Sequence, residues 1–164
     1  MKLSVVIQTP EVKAPVPVAL LSGSFEEKLD KAAGLGYSGV ELLAARPREL
    51  HADPLSGQLA GRGLEVSAVG SGAVYMTDGL TLLHADPDRR ERALQRLVEL
   101  ISFASDIGAG CVTIGGFRGK VAWVQESDPH RLLVDMLRRA SEHAARRKVR
   151  IAVEPLNRYE TDIL

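Results

Sequence analysis

Residues 149–160 read Val149-Arg-Ile-Ala-Val-Glu-Pro-Leu-Asn-Arg-Tyr-Glu160. Val149, Ile151 and Val153 alternate with Arg150, Ala152 and Glu154, which is the two-residue period of a β-strand. Pro155 stops the pattern by removing a backbone donor, so the strand closes on a carboxylate. Side chains along a strand point alternately to opposite faces. If the apolar set packs against helices, Ala152 and Glu154 face the other way, which in a closed parallel sheet is the interior. Glu154 then stands at the C-terminal rim, where enzymes of that architecture keep their chemistry. Glu160 lies six residues further on and can return over the same mouth. Two carboxylates flanking Asn157 and Arg158 suit a hard cation and the hydroxyls of a polyol.

The preceding chain repeats one unit. Leu3 to Ile7, Gly39 to Leu43, Leu64 to Val69 and Cys111 to Ile114 are short apolar runs, and no hairpin turn joins any pair. Between them run helical patterns. Ser24-Phe-Glu-Glu27 is a capping box ahead of Leu29, Ala32 and Ala33, with Gly34 and Gly36 closing the helix. Asp53-Pro54, Asp86-Pro87 and Asp128-Pro129 each offer an N-cap aspartate before a proline at the first helical position. Leu94, Leu97, Val98, Ile101 and Ala104 form one apolar stripe, and Leu133, Met136, Leu137, Ala140 and Ala144 another. Alternating strands and helices demand parallel strands joined by right-handed crossovers. The spacing predicts an α/β fold with five parallel strands and four complete helices, and Thr161 to Leu164 as the first turn of a fifth.

Composition narrows the class. The chain has 164 residues, 45% of them hydrophobic and 26% charged, in keeping with one globular domain spanning 1–164. Lysine plus arginine and aspartate plus glutamate are 21 each, so there is no electrostatic footprint for nucleic acid or anionic lipid. Cys111 is the single cysteine, which points to a reduced, cytoplasmic protein. No apolar run reaches the length of a signal peptide core or a membrane span.

Glu154-Pro-Leu-Asn-Arg-Tyr-Glu160 resembles the fifth-strand motif of the xylose-isomerase-like barrel superfamily, in its ketose 3-epimerase and sugar-phosphate isomerase/epimerase branch. Gly36-Tyr-Ser-Gly-Val-Glu41-Leu at the second strand and the segment Gly79 to Ala93 extend the resemblance over nearly the whole chain. It implies a partial (β/α)8 TIM barrel holding strands one to five, since a complete barrel takes about 250 residues. A barrel left open exposes two strand edges, so association with another copy is expected.

The resemblance also implies chemistry. The glutamate matching Glu154 is a metal ligand and one of two acid/base carboxylates in that branch. It moves a proton at the carbon beside a carbonyl while a divalent cation, Mn²⁺, Mg²⁺ or Co²⁺, stabilises the enediolate. The second carboxylate and the remaining ligands come from strands six to eight. Glu160 matches the substrate-contacting glutamate at the same spacing, and the substrate expected is a small sugar or sugar phosphate. Two further residues come from the sequence pattern. Glu41 has inward parity and is a candidate for ligand hydroxyls, or else a buried structural carboxylate. Arg118, in Gly115-Gly-Phe-Arg-Gly119, is a candidate for a phosphate or hydroxyl on a flexible rim loop. Trp123 either walls the pocket or packs on the next helix. Asn157 and Arg158 shape the loop, and His51, His84, His130 and His143 show no ligand spacing.

Three alternatives accompany this reading. An inosose-dehydratase-like lyase would share the metal and the glutamate. An abasic-site endonuclease of the superfamily needs zinc-binding histidines at the ends of strands three and four, where this chain has Val69-Gly70-Ser71 and Ile114-Gly115-Gly116. A catalytically inactive half-barrel results if the ligands of later strands are missing.

Overall fold

The apolar runs become the strands β1 (Ser4–Gln8), β2 (Gly39–Leu43), β3 (Glu65–Gly70), β4 (Cys111–Ile114) and β5 (Arg150–Val153) of a computed structural model that describes residues 2–163. They pair in sequence order, every pair parallel. Helices α1 (Phe25–Gly34), α2 (Ala52–Ala60), α3 (Gly72–Asp78), α4 (Pro87–Asp106) and α5 (Pro129–Arg147) fill the connections. One sheet face carries Ile7, Val40, Leu42, Val69, Val112 and Ile114, all 0% exposed. They meet Leu29 and Ala32 of α1, Leu59 of α2, Leu97, Leu100 and Ile101 of α4, and Leu133, Met136 and Ala140 of α5 in one core cluster.

The opposite face is set by register. Val6 pairs with Glu41 and Glu41 with Ala68, while Leu43 pairs with Gly70, Gly70 with Thr113, and Thr113 with Ala152. Parallel partners share a face, so these residues form the inner wall of the open barrel. A bulge in β3 helps: Val40 pairs with Val66 but Glu41 with Ala68, leaving Ser67 unpaired on the ladder. The extra residue twists the strand and re-aims the side chains beyond it. The Ser67 hydroxyl takes up the slack by donating to Val40 O at 3.1 Å.

Several helix starts obey the sequence signals. Ser24 and Glu27 make a reciprocal capping box, and Asp86 and Asp128 accept from the amides of Asp88 and Arg131 at 2.9 and 3.0 Å. Asp53 does not cap. Helix α2 begins two residues earlier, with His51 at the flanking position, so Asp53 and Pro54 fall inside the first turn. A proline fits there because those amides have no intrahelical acceptor.

Two elements depart from expectation. Helix α3 makes five α-helices among the described residues rather than four. It is too short to show a periodic stripe, and its one signal is Gly79, which takes φ +60° while its N–H caps Tyr75 O at 2.9 Å. The turn expected from Thr161 is not helical over 161–163, and Leu164 lies outside the described residues. There the Asp162 carboxylate accepts from the amides of Val121 and Ala122 at 2.7 and 3.1 Å, and Ile163 O accepts from Arg118. Tertiary bonds thus hold groups that a helix would have used.

Asp78, at the end of α3, fixes that helix to the scaffold. Its carboxylate accepts from Arg46 at 2.7 Å and Arg96 of α4 at 2.8 Å, and Arg96 also donates to Ala45 O. Burial alone would raise the Asp78 pKa, but the bonds from the two guanidinium groups outweigh it and hold the carboxyl below its ordinary 3.8. A depressed folded-state pKa stabilises the fold above the unfolded value and ceases to do so as pH falls through the folded one. Asp78→Asn should therefore cost about 1–3 kcal/mol at neutral pH. In urea titrations across pH, the gap between the two proteins should close below pH 3.8. A gap that persists unchanged into acid would show that the charge of Asp78 does not matter.

Candidate functional site

Strand register brings residues of β1 to β4, and Glu154 just past β5, to one cleft of about 400 Å³ at the C-terminal ends of the sheet. Glu41 of β2, Gly70 of β3, Thr113 of β4 and Glu154, just past β5, all line it, with Val6, Leu43 and Met76 supplying apolar wall. Glu154 and Glu41 therefore have the inward orientation that their parity predicts. The Thr113 hydroxyl donates to Glu41 Oε1 at 2.8 Å. Burial pushes the Glu41 carboxyl above its ordinary pKa, the Thr113 bond works against the rise, and the nearby Glu154 charge adds to it.

Glycine makes the room. A Cβ at Gly115 would stand 2.5 Å from Glu154 Oε2, and a Cβ at Gly70 would stand 2.9 Å from Glu41 Oε1 and 2.4 Å from Leu43 Cδ2. Such approaches are far inside van der Waals contact, so each carboxylate occupies space that any larger residue would claim. The sequence shows both glycines, but only the register reveals that each lies under an acid.

Glu154 is held by its main chain and left free at its side chain. Its N–H donates to Ile114 O at 3.0 Å, extending the β4–β5 ladder by one rung, and its carbonyl accepts from Arg118. Among the described residues, no hydrogen bond or ion pair engages its carboxylate. An inner-wall carboxylate without a protein cation on it is a hard oxygen donor available to a ligand.

The expectation for Arg118 is corrected. It is 0% exposed, in a tight turn over Gly116–Arg118 rather than on a flexible solvent-facing loop. Its Nε donates to Gly115 O at 3.1 Å, Nη1 to Ile163 O at 3.3 Å, and Nη2 to Ile114 O at 3.2 Å and to Glu154 O. Four of its five N–H donors go to backbone carbonyls, and no pair remains free to form a fork on a phosphate or a sugar hydroxyl. Burial lowers its pKa, and the Glu154 carboxylate opposes the drop. A run of glycines around an arginine looks like a mobile loop in sequence, and nothing local announces four converging carbonyls.

Glu160 stands exposed on the turn after β5 and is not part of the cleft wall. Asn157 shapes that turn, its Oδ1 accepting from Tyr159 N at 2.9 Å and its carbonyl from Glu160 N at 3.0 Å. Trp123 lies outside the cleft and pairs with Tyr75 of α3 at 5.8 Å between ring centroids. His143 is half-buried and meets Ser102 of α4 at 2.9 Å, because α4 and α5 pack side by side. His84 accepts from Asp86 N at 3.0 Å. Thr113, which sequence patterning passes over, is the residue that joins the two sides of the cleft.

The family model described as Xylose isomerase-like TIM barrel matches residues 29–164. Among solved structures, D-psicose 3-epimerase from Clostridium cellulolyticum H10, solved with D-tagatose, superposes at a TM-score of 0.73 with 18% identity, over 100% of this chain and 55% of that one. The 3-keto-D-glucoside 4-epimerase of E. coli gives 0.69 at 19% identity over 96% of this chain and 57% of that one. An AP endonuclease, family 2, from Brucella melitensis gives 0.68 at 19% over 96% and 56%. At such identities the likeness is one of fold, and the chain spans about half the length of these relatives. A search of curated proteins returns no match. With five parallel strands and four complete β/α units in barrel order, and a family match over residues 29–164, this chain belongs to the xylose isomerase-like TIM barrel family.

Proposed function

We propose that this chain carries part of the active site of a divalent-metal-dependent sugar or sugar-phosphate isomerase or epimerase. The observation that supports it is the unpartnered Glu154 carboxylate, inward-facing at the C-terminal rim and seated over Gly115. The donor chemistry fits a hard cation as far as it goes: Glu154 would hold Mn²⁺, Mg²⁺ or Co²⁺, with further ligands expected from strands six to eight of a complete barrel. A cation so held supplies Lewis-acid polarisation of substrate oxygens. Glu154 itself would take the proton from the carbon beside the substrate carbonyl, its main chain fixed by Ile114 and Arg118 so that the carboxylate need not be reorganised. Glu41 would accept from a substrate hydroxyl across the cleft, and Glu160 would reach substrate from the turn after β5. The other hand of the acid/base pair is expected from a later strand.

A second reading is an inactive half-barrel or binding module. Among the described residues, no three of His, Cys, Asp and Glu come together as a ligand set, a feature that both readings share. The endonuclease reading finds Gly70-Ser71 and Gly115-Gly116 at the strand ends where it needs imidazoles. The lyase reading shares Glu154 and is separated by product alone. No helix among the described residues is long and apolar enough to cross a membrane, and the cleft suits a small polar molecule. Association of copies across the edges of β1 and β5, each paired on one side only, is part of the same proposal.

Elemental analysis, beside an epimerisation assay on ketohexoses in deuterated water, separates the first two readings when run on the barrel completed by strands six to eight. A stoichiometric metal with turnover supports the enzyme, whereas a folded chain with neither supports the module. In an active protein, Glu154→Gln should reduce deuterium incorporation beside the carbonyl by roughly 10²–10⁴-fold, and retained incorporation would remove Glu154 as the acid/base. Gly115→Ala should push the Glu154 carboxylate aside and lower kcat by about 10²-fold with the melting temperature little changed. Wild-type kcat in that variant would show that the seat over Gly115 is immaterial.

A further inference from the structure

Glu41 and Thr113 belong to strands that are not neighbours, since β3 runs between β2 and β4. Adjacent strands lie about 4.8 Å apart, so a bond from β2 to β4 must span roughly twice that. A glutamate can reach so far along the inner wall only if the intervening strand shows no side chain there. The residue it crosses is Gly70, which pairs with Leu43 on one side and Thr113 on the other. A Cβ on Gly70 would meet both ends of the bridge, at 2.9 Å from Glu41 Oε1 and 3.5 Å from Thr113 Oγ1.

The bridge uses one carboxylate oxygen. Glu41 Oε1 accepts from Thr113, while no protein donor reaches Oε2 among the described residues, although Glu41 is half-buried and lines the cleft. That oxygen is open to the cleft, where water or a ligand hydroxyl can donate to it, and Glu154 lines the same cleft. A bond that served only to brace the sheet would not need a charged residue: a glutamine, with the same reach and a neutral acceptor, would do it. What a fixed carboxylate with one free oxygen offers is an acceptor of set direction.

We propose that Glu41 and Thr113 form a hydroxyl-recognition subsite for a polyol ligand on the wall facing Glu154, with Thr113 as positioning residue and Gly70 clearing the path between them. This rests on the cleft being a sugar site, and it adds Thr113 and Gly70 to the determinants of binding.

The test is binding of D-fructose and of myo-inositol to the chain by saturation-transfer NMR, with circular-dichroism melting as the check on folding. Thr113→Val keeps the shape and removes the hydroxyl, so affinity should fall roughly tenfold, and Thr113→Ser should restore it to within about twofold. Gly70→Ala should weaken binding at least as much as Thr113→Val. Glu41→Gln, which retains an acceptor for Thr113 but turns a donor toward the ligand, serves as the second variant and should also lose roughly tenfold. Mn²⁺ affinity should be unaltered in Thr113→Val, because Glu154 is untouched. Equal binding by wild type, Thr113→Val and Glu41→Gln would overturn the subsite, as would equal losses in the Val and Ser variants, or a wild type that binds neither polyol. A Glu154→Gln protein that still exchanges protons would overturn the acid/base assignment while leaving this subsite standing.

Discussion

Arg118 is a buried cation with no carboxylate bonded to it, and the geometry of the strand ends depends on how it is satisfied. Taking a guanidinium out of water is expensive unless its donors are met in the interior. Here backbone carbonyls meet four of the five: Ile114 and Gly115 where β4 ends, Glu154 where β5 ends, and Ile163 on the returning loop. The planar fork of arginine suits this because its five donors point in fixed directions, where a lysine ammonium would present a single centre. The same contacts therefore neutralise the burial cost of the charge and set the relative height of two strand ends. Glu154 inherits its position from that arrangement, through its own carbonyl and amide.

With the backbone fixed, the rest of the site is a matter of subtraction. The inner wall of an open barrel offers closely spaced positions, and side chains at all of them would fill it, as they fill closed barrels. At Gly70 and Gly115 there is none, and an acid leans over each vacancy, one from β2 and one from β5. The two acids therefore come from strands far apart in the sheet yet share one cleft. The outer wall shows the opposite rule. Val40, Leu42, Val69, Val112 and Ile114 are fully buried there, and the helices cover them with leucine, isoleucine and alanine.

What the sequence shows well is what depends on local chemistry. Strand alternation put Glu154 and Glu41 on the inner face, and the Ser24–Glu27 box and the aspartates before Pro87 and Pro129 cap as their spacing implies. Asp53-Pro54 failed because the same dipeptide is also tolerated two residues deeper in a first turn. Helix α3 escaped notice because seven residues cannot display a stripe. Arg118 was misjudged for a different reason: whether an arginine faces water or four carbonyls is decided by elements up to 45 residues away in the chain. Thr113 escaped for the same reason, its partner lying 72 residues upstream.

The β3 bulge ties these levels together. Without the extra residue at Ser67, Glu41 would pair with Ser67 instead of Ala68, and every later β3 residue would exchange faces relative to β2. Gly70 would then turn toward the helices, where a missing side chain would leave a void in the core, and Val69 would turn inward between Leu43 and Thr113. A valine there would block the path of Glu41 across β3 and leave both the carboxylate and the hydroxyl without partners in a half-buried wall. One unpaired residue in the ladder, anchored by the Ser67 hydroxyl on Val40 O, thus decides that the glycine lies where the acids need space and the valine where the helices need bulk.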